Sequence, residues 1–133
     1  MQQGASLPEL VRPVTQDQIN RYAEVSGDHN PVHLDAEFAS HSTFGRIVVH
    51  GMLVLAFISE MLTKEFGKDW LDSGRLKVRF RAPVYPGDRV VTFGEVTGIT
   101  NSEDGDRVKC TVGCRKVDGE DVITGEASLL VSS

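Results

Sequence analysis

An uninterrupted apolar segment in the middle of the chain restricts the possible folds. Every residue from Met52 to Ile58 is apolar, and Met61, Leu62 and Phe66 continue the pattern. Since turn-forming residues are lacking over about fifteen positions, this segment favours a helix rather than a strand. A helix that is apolar on all sides is usually buried on all sides. We therefore expect a central helix that is covered by the rest of the chain.

The sequence after this helix is typical of β-strands. Residues 76–84, LKVRFRAPV, alternate between apolar and polar side chains, and residues 89–99, 107–117 and 121–131 also have strand character. The intervening PGD, EDGD and DGED sequences are turn formers, and such short connections favour antiparallel pairing. We predict an α+β fold in which residues 1–133 form a single domain, a curved antiparallel sheet wrapped around the long central helix.

Smaller helices are expected ahead of the central helix. Thr15 and Gln18 have the spacing of a capping box, which predicts a helix running to about Ser26. A further short helical turn is predicted over residues 34–40, with Asp35 near its start.

Charge, hydropathy and cysteine spacing limit the partners and the compartment. The net charge of −5 argues against nucleic acid as a partner. The sequence has no apolar stretch long enough to span a membrane, and its first residues lack the pattern of a secretory signal. Cys110 and Cys114 lie roughly 13 Å apart along one predicted strand, too far for a disulfide. We expect both to be reduced core residues of a cytoplasmic protein.

The most distinctive polar segment is SGDHNPVH, residues 26–33. Gly27 permits a sharp exit from the preceding helix, and Pro31 disfavours helical geometry at Asn30. One interpretation is a simple polar turn, because the segment is rich in turn-forming residues. The other is a catalytic loop, because irregular segments between ordered elements often carry functional side chains.

A metal site is a third interpretation of the same segment. His29 and His33 are four residues apart, which on a helix is metal-ligand spacing, and His41 and His50 are further candidates. The proline between the first two histidines argues against a regular helix. The chain has no HExxH pattern and no Cys/His cluster with zinc spacing. We therefore predict no metal site and no role for His29 or His41.

Asp28 and His33 form a better pair for acid–base chemistry. A carboxylate and an imidazole that share one water can move two protons. Gly51, in the HGM sequence, begins the central helix, where unpaired backbone N–H groups favour developing negative charge. It is a candidate oxyanion donor. The alternative for this glycine is a purely structural need for positive φ or for tight packing.

These motifs resemble a known family. YAEVSGDHNPVHLDAEFA, followed by VVHGM, resembles the MaoC-like (R)-specific enoyl-CoA hydratases, also called hydratase 2, and RAPVYPGDRV and TGEASLLV are similar to strand segments of that family. The resemblance covers nearly the whole chain. It implies a hot-dog fold, a homodimer with sheets joined edge to edge, and acyl-CoA substrates that enter near the subunit interface. It implies no redox cofactor and no metal.

The resemblance also implies roles for individual residues. Asp28 and His33 match the catalytic pair, Asn30 matches an orienting asparagine, and Gly51 matches the glycine whose amide contacts the thioester carbonyl. The implied reaction is the reversible hydration of a trans-2-enoyl-CoA to an (R)-3-hydroxyacyl-CoA.

Substrate contacts outside this core are less constrained. Ser59 is the polar member of the central helix, and either bonds within its own helix or lines the acyl slot together with Leu55 and Leu62. Arg46 is a candidate contact for anionic coenzyme A. A basic strand face carries Lys77, Arg79 and Arg81; we interpret it as a solvated outer face rather than a coenzyme A site.

Three other functions fit the same sequence. The first is dehydration of 3-hydroxyacyl chains on acyl carrier protein, with the chain acting alone or as one subunit of a heterodimer. The second is a thioesterase on the same fold, which would not need the Asp–His pair. The third is a non-catalytic acyl-CoA-binding module, which would tolerate loss of Asp28 and His33.

Overall fold

The computed structural model describes residues 2–132. The helices are α1 (Gln16–Ser26), α2 (Pro31–Leu34), α3 (Ala36–Ser40), α4 (Gly51–Phe66) and α5 (Lys68–Ser73), and the strands are β1 (Val11–Pro13), β2 (Arg75–Phe80), β3 (Arg89–Ser102), β4 (Gly105–Lys116) and β5 (Asp121–Val131). Within residues 2–132, no helix combines the length and the apolar character needed to span a membrane.

The strands form one sheet in the order β1-β3-β4-β5-β2, and each of these neighbours pairs antiparallel. The four strands predicted after the central helix are confirmed. Strand β1 was not predicted, because its three residues are too few to show an alternating pattern. A register shift between Val96 and Gly98 interrupts the β3–β4 ladder, and such bulges bend a strand and increase its twist.

The central helix α4 presents one face to the core. Its buried residues are spaced three and four apart, as expected for one helical stripe: Val54, Phe57, Ile58, Met61 and Leu62. The opposite side is open in the single chain, where Met52 is 57% exposed. Glu60 receives two hydrogen bonds from Arg12, at 2.9 and 3.2 Å. The expectation that α4 is buried on all sides is therefore wrong for the chain on its own.

Helix α1 follows the sequence prediction closely. The Thr15 hydroxyl accepts a hydrogen bond from the Gln18 amide at 3.2 Å, and the Gln18 side chain accepts one from the Thr15 amide at 3.0 Å. The helix ends at Ser26, and Gly27 has a φ of 78°. Glycine adopts this left-handed conformation without the steric cost that a Cβ would add, so the chain can turn sharply into the polar segment.

The short helical turn predicted over residues 34–40 is two helices in the structure. Pro31 is the first residue of α2, a position where its missing N–H costs no hydrogen bond. Asp35 separates α2 from α3, and its carboxylate accepts hydrogen bonds from the Glu37 and Phe38 amides. The polar segment is consequently irregular only as far as Asn30.

The alternating pattern around β2 extends beyond the strand itself. Residues 81–84 leave the sheet after Phe80, and they include Pro83, which has no N–H to donate to a ladder. The Val84 carbonyl instead accepts a hydrogen bond from the Val49 amide at 2.8 Å. This contact places residues 81–84 beside the segment that leads into α4.

Both cysteines lie in the core of the sheet. Cys110 and Cys114 are fully buried and unpaired. Burial raises the pKa of the Cys110 thiol to about 11 and that of Cys114 to about 12. Both thiols therefore stay protonated and weakly nucleophilic at neutral pH. Their predicted placement as unpaired core residues is confirmed.

Candidate active site

The loop after α1 is held by short-range hydrogen bonds. The Ser26 hydroxyl accepts from the Asp28 amide at 3.1 Å, and Asp28 Oδ1 accepts from the Asn30 amide at 3.3 Å. Asn30 caps α2 through its side-chain oxygen, which accepts from the Val32 amide at 3.1 Å. Asn30 therefore fixes the start of the helix that carries His33.

His33 is largely buried and has a defined orientation. Its side chain is 14% exposed, and Nδ1 lies 2.7 Å from the Val48 carbonyl oxygen. Because a carbonyl only accepts, Nδ1 carries a proton and donates it. In the neutral imidazole this leaves Nε2 as the free acceptor. Nε2 lies 4.0 Å from Asp28 Oδ2, so the predicted acid–base pair is brought together.

A second buried histidine lies at this site and was not predicted to belong to it. His50 is 1% exposed, and its Nε2 lies 3.1 Å from the Asp28 carbonyl oxygen and 3.9 Å from Asp28 Oδ2. Its ring stacks on that of His33, with centroids 3.9 Å apart and planes inclined by 27°. From the sequence, His50 was a candidate metal ligand only. Its position directly before Gly51 was the available signal that it belongs to the acid–base site.

An open cavity of about 420 Å³ lies next to His33. Its walls are mainly apolar and come from α2, the segment before α4, residues 80–84 and β5. The lining residues are Val32, His33, Phe44, Val48, Val49, Gly51, Val54, Phe80, Arg81, Ala82, Pro83, Val84 and Val122. His33 and Gly51 thus face the same cavity, and the Asp28 carboxylate lies next to His33 without being part of the cavity wall.

Gly51 is the first residue of α4, so its N–H has no acceptor within the helix. It is not among the glycines with positive φ, and the first structural explanation for this residue is therefore wrong. The second is supported in part, because a Cβ built at this position would lie 2.9 Å from Cε1 of the half-exposed Phe80 ring, which would have to move. Gly51 also lies at the wall of the cavity.

Arg46 and Ser59 are not brought to this cavity. The Arg46 guanidinium lies over the Tyr85 ring at 4.2 Å from its centroid, and Arg46 lines a different surface pocket. The Ser59 hydroxyl accepts a hydrogen bond from the Trp70 indole at 3.1 Å. Their substrate-binding roles stay predictions that this geometry does not support.

The middle of α4 does not line the cavity either. Leu62 is fully buried in the core, and Leu55 is absent from the cavity wall. Since the cavity opens at the amino end of α4, only Gly51 and Val54 of this helix reach it. The expectation that Leu55, Ser59 and Leu62 line the acyl slot is therefore not met by this cavity.

The predicted basic strand face is exposed. Lys77, Arg79 and Arg81 lie along one groove outside the cavity, as expected for a solvated outer face. Arg81 also reaches the cavity wall, and its Nε donates to the Thr124 hydroxyl at 2.9 Å.

The three polar side chains at the site fit proton transfer better than metal binding. One candidate ligand atom from each of Asp28, His33 and His50 lies within 4.8 Å of the others. One nitrogen of each ring is already engaged, because His33 Nδ1 contacts the Val48 carbonyl and His50 Nε2 contacts the Asp28 carbonyl. Both nitrogens must carry a proton there, so neither can be a metal ligand. His29 and His41 are exposed and stand apart from this group.

An Asp–His pair, a helix-terminal amide and a mainly apolar cavity therefore lie together beside an antiparallel sheet that packs against one long helix. This architecture is the hot-dog fold. Residues 3–118 match the model of the MaoC like domain. The chain belongs to this family.

Individual relatives agree with this assignment. The (R)-specific enoyl-CoA hydratase of Aeromonas caviae is 35% identical over 111 residues, which cover 83% of this chain and 81% of that protein. The mitochondrial 3-hydroxyacyl-[acyl-carrier-protein] dehydratase of Arabidopsis thaliana is 33% identical over 122 residues, or 90% of this chain and 72% of that protein. The solved structure of the (R)-hydratase of A. caviae involved in PHA biosynthesis superposes with a TM-score of 0.85 at 30% identity, covering 98% of this chain and 97% of that one. These relatives support a lyase with hydratase or dehydratase activity.

Proposed function

We propose that the chain catalyses the reversible, (R)-specific hydration of trans-2-enoyl-CoA to (R)-3-hydroxyacyl-CoA. The observation that carries this proposal is the pair formed by Asp28 Oδ2 and His33 Nε2, 4.0 Å apart, beside an apolar cavity. This separation is too long for a direct hydrogen bond, but a water oxygen about 2.8 Å from each atom fits beside it. The name of the A. caviae relative supports the same reaction.

The two side chains would divide the proton transfers. Asp28 acts as general base on the water, whose oxygen bonds to C3 of the enoyl group. His33 Nε2 accepts a hydrogen bond from this water and holds it, and it assists the return to C2 of the proton that Asp28 takes from the water, which regenerates the carboxylate. One water is added across the double bond, so atoms and charge balance. Proton-transfer groups of this kind each contribute about 10²–10⁴ in rate.

The rest of the site would bind the thioester. The Gly51 amide at the start of α4 donates to the thioester oxygen, which gains negative charge as the enolate forms. The cavity walls from α2 and from residues 80–84 would enclose the apolar acyl chain. The same groups at the same positions support dehydration, because the reverse reaction passes through the same transition state.

The first test is a hydration assay with purified protein and crotonyl-CoA. We expect loss of the enoyl thioester absorbance without added metal or redox cofactor, because hydration changes no oxidation state overall. A series of enoyl-CoA chain lengths reports the acyl specificity of the cavity. Release of free thiol would indicate a thioesterase instead, and no turnover with any enoyl thioester would contradict the proposed function.

Acyl carrier protein is the second candidate carrier, and the name of the Arabidopsis relative favours it. Crotonyl groups on coenzyme A and on acyl carrier protein, compared at equal concentration, distinguish the two. Faster turnover of the coenzyme A ester supports the proposed hydratase. Activity only with the carrier protein, or only after a second subunit is added, supports the dehydratase.

We also propose that the working enzyme is a cytoplasmic homodimer. The family resemblance supports the homodimer, and the two unpaired buried cysteines support the cytoplasmic location. Strand β2 forms an edge of the sheet in the single chain, which leaves one side of the strand available for pairing. Sedimentation equilibrium of the purified protein should give twice the mass of the chain. A monomer with full activity would contradict the assembly.

A further inference from the structure

We propose that His50 is a positioning residue that holds Asp28 against His33 through the Nε2–H of its imidazole. This inference rests on the proposed hydratase function and deepens it. His50 Nε2 lies 3.1 Å from the carbonyl oxygen of Asp28. His50 therefore binds the main chain of Asp28, the proposed base. The carboxylate of Asp28 stays free to contact the reacting water.

The tautomer of His50 follows from this contact. A carbonyl oxygen only accepts, so Nε2 carries the proton and, in the neutral ring, Nδ1 keeps a lone pair. Within residues 2–132, Nδ1 of His50 is the buried side-chain polar atom that finds no hydrogen-bond partner. Burying such an atom without a partner is costly. An apolar side chain would avoid this cost, which indicates that the Nε2 contact is what requires histidine at position 50.

His50 also contacts the other members of the site. Its ring lies against the His33 ring at 3.9 Å between centroids, and the Tyr22 ring packs on it at 4.8 Å. Its carbonyl carbon forms the peptide bond to the Gly51 nitrogen, so the oxyanion donor belongs to the next residue in the chain. One buried side chain thus contacts both Asp28 and His33, and its main chain leads directly into α4.

The chain around His50 is itself well anchored. The Val48 amide donates to the Val32 carbonyl at 3.2 Å, and the Val49 amide donates to Val84 at 2.8 Å. The Val48 carbonyl orients His33 at the same time. In contrast, Asp28 has a half-exposed side chain on an irregular loop. The hydrogen bond from His50 connects this loop to the anchored segment.

Paired substitutions separate the hydrogen bond from the bulk of the side chain. Glutamine and methionine are both unbranched, but only glutamine has an amide N–H that can reach the Asp28 carbonyl. His50→Met should lower kcat for crotonyl-CoA by about 10–100-fold, by analogy with the loss of hydrogen-bond partners that orient metal ligands. The loss of kcat in His50→Gln should be at least tenfold smaller than the loss in His50→Met. KM should stay within about twofold, because His50 is not part of the cavity wall.

A double-mutant cycle distinguishes positioning from general stability. If His50 acts through Asp28, the methionine substitution should cost little in an Asp28→Asn background, because the base it positions is already gone. Equal losses in both backgrounds, or equal losses for His50→Gln and His50→Met, would overturn the inference. Thermal unfolding of each variant identifies any that fail to fold.

Crystal structures of the two variants give a readout that does not depend on turnover. The separation of Asp28 Oδ2 and His33 Nε2 should be kept in His50→Gln and change by about 1 Å or more in His50→Met, enough to impair catalysis. An unchanged separation in both variants would overturn the positioning role. If wild-type protein hydrates no enoyl thioester, the proposed function fails, whereas the two structures still decide the role of His50.

Discussion

Asp28→Asn is expected to lower kcat for enoyl-CoA hydration by about 10²–10⁴-fold, because it removes the only carboxylate proposed to act as base. Asparagine keeps an Oδ1 acceptor for the Asn30 amide, a contact of 3.3 Å in the wild-type chain, so the loop should be retained.

His33→Asn should lower kcat by a similar factor. Its amide can still donate to the Val48 carbonyl, as Nδ1 does, but it removes Nε2. Loss of absorbance with crotonyl-CoA measures both variants.

Matched controls come from exposed residues of the same types. Asp104→Asn in the β3–β4 turn and His41→Asn after α3 alter side chains that are exposed and are not part of the cavity wall. Both should hydrate at wild-type rates. The double variant Asp28→Asn, His33→Asn should have a kcat only slightly below that of the less active single variant, because the two side chains act on one water. Near-wild-type turnover by a folded Asp28→Asn protein would rule out the mechanism.

Gly51→Pro is expected to lower kcat by about 10²–10³-fold relative to Gly51→Ala, because proline removes the N–H proposed to stabilise the enolate. Position 51 suits this experiment. Proline is favoured at the first residue of a helix, and His50 has φ −58° and ψ 127°, which a following proline permits. Steady-state rates of the two variants with crotonyl-CoA give the ratio.

Gly51→Ala is the control for steric effects. Both variants add a Cβ that would lie 2.9 Å from the Phe80 ring, and the end of that half-exposed side chain can move. Both variants are therefore expected to lose some activity because the Phe80 ring is displaced. Only the proline variant also loses the N–H at position 51. Equal rates for folded alanine and proline variants would show that the Gly51 amide is not the oxyanion donor.

Much of the fold could be predicted because it depends on local patterns. The capping box at Thr15, the strand alternation and the turns all appear in the sequence as short-range signals. The burial of α4 could not be predicted in the same way. An apolar run shows that a helix can be buried, but which face packs on the sheet depends on the tertiary arrangement.

The candidate site, like the fold, could be predicted only where it depends on local sequence. Asp28, Asn30 and His33 lie on one short segment, so their spacing could be recognised directly. His50 lies twenty-two residues from Asp28 in sequence, and its contact with the Asp28 carbonyl exists only after folding. Ser59 and Arg46 were plausible by residue type, yet their polar groups are engaged by Trp70 and Tyr85. Residue type predicts what a side chain can bind, and packing decides what it does bind.

Chiral analysis of the product that wild-type protein forms from crotonyl-CoA, with Asp28→Asn protein assayed beside it, tests the proposed function most directly. We expect (R)-3-hydroxybutyryl-CoA from the wild-type protein and almost no product from a folded Asp28→Asn protein. The (S) product, a racemate, or equal product from the two proteins would contradict it.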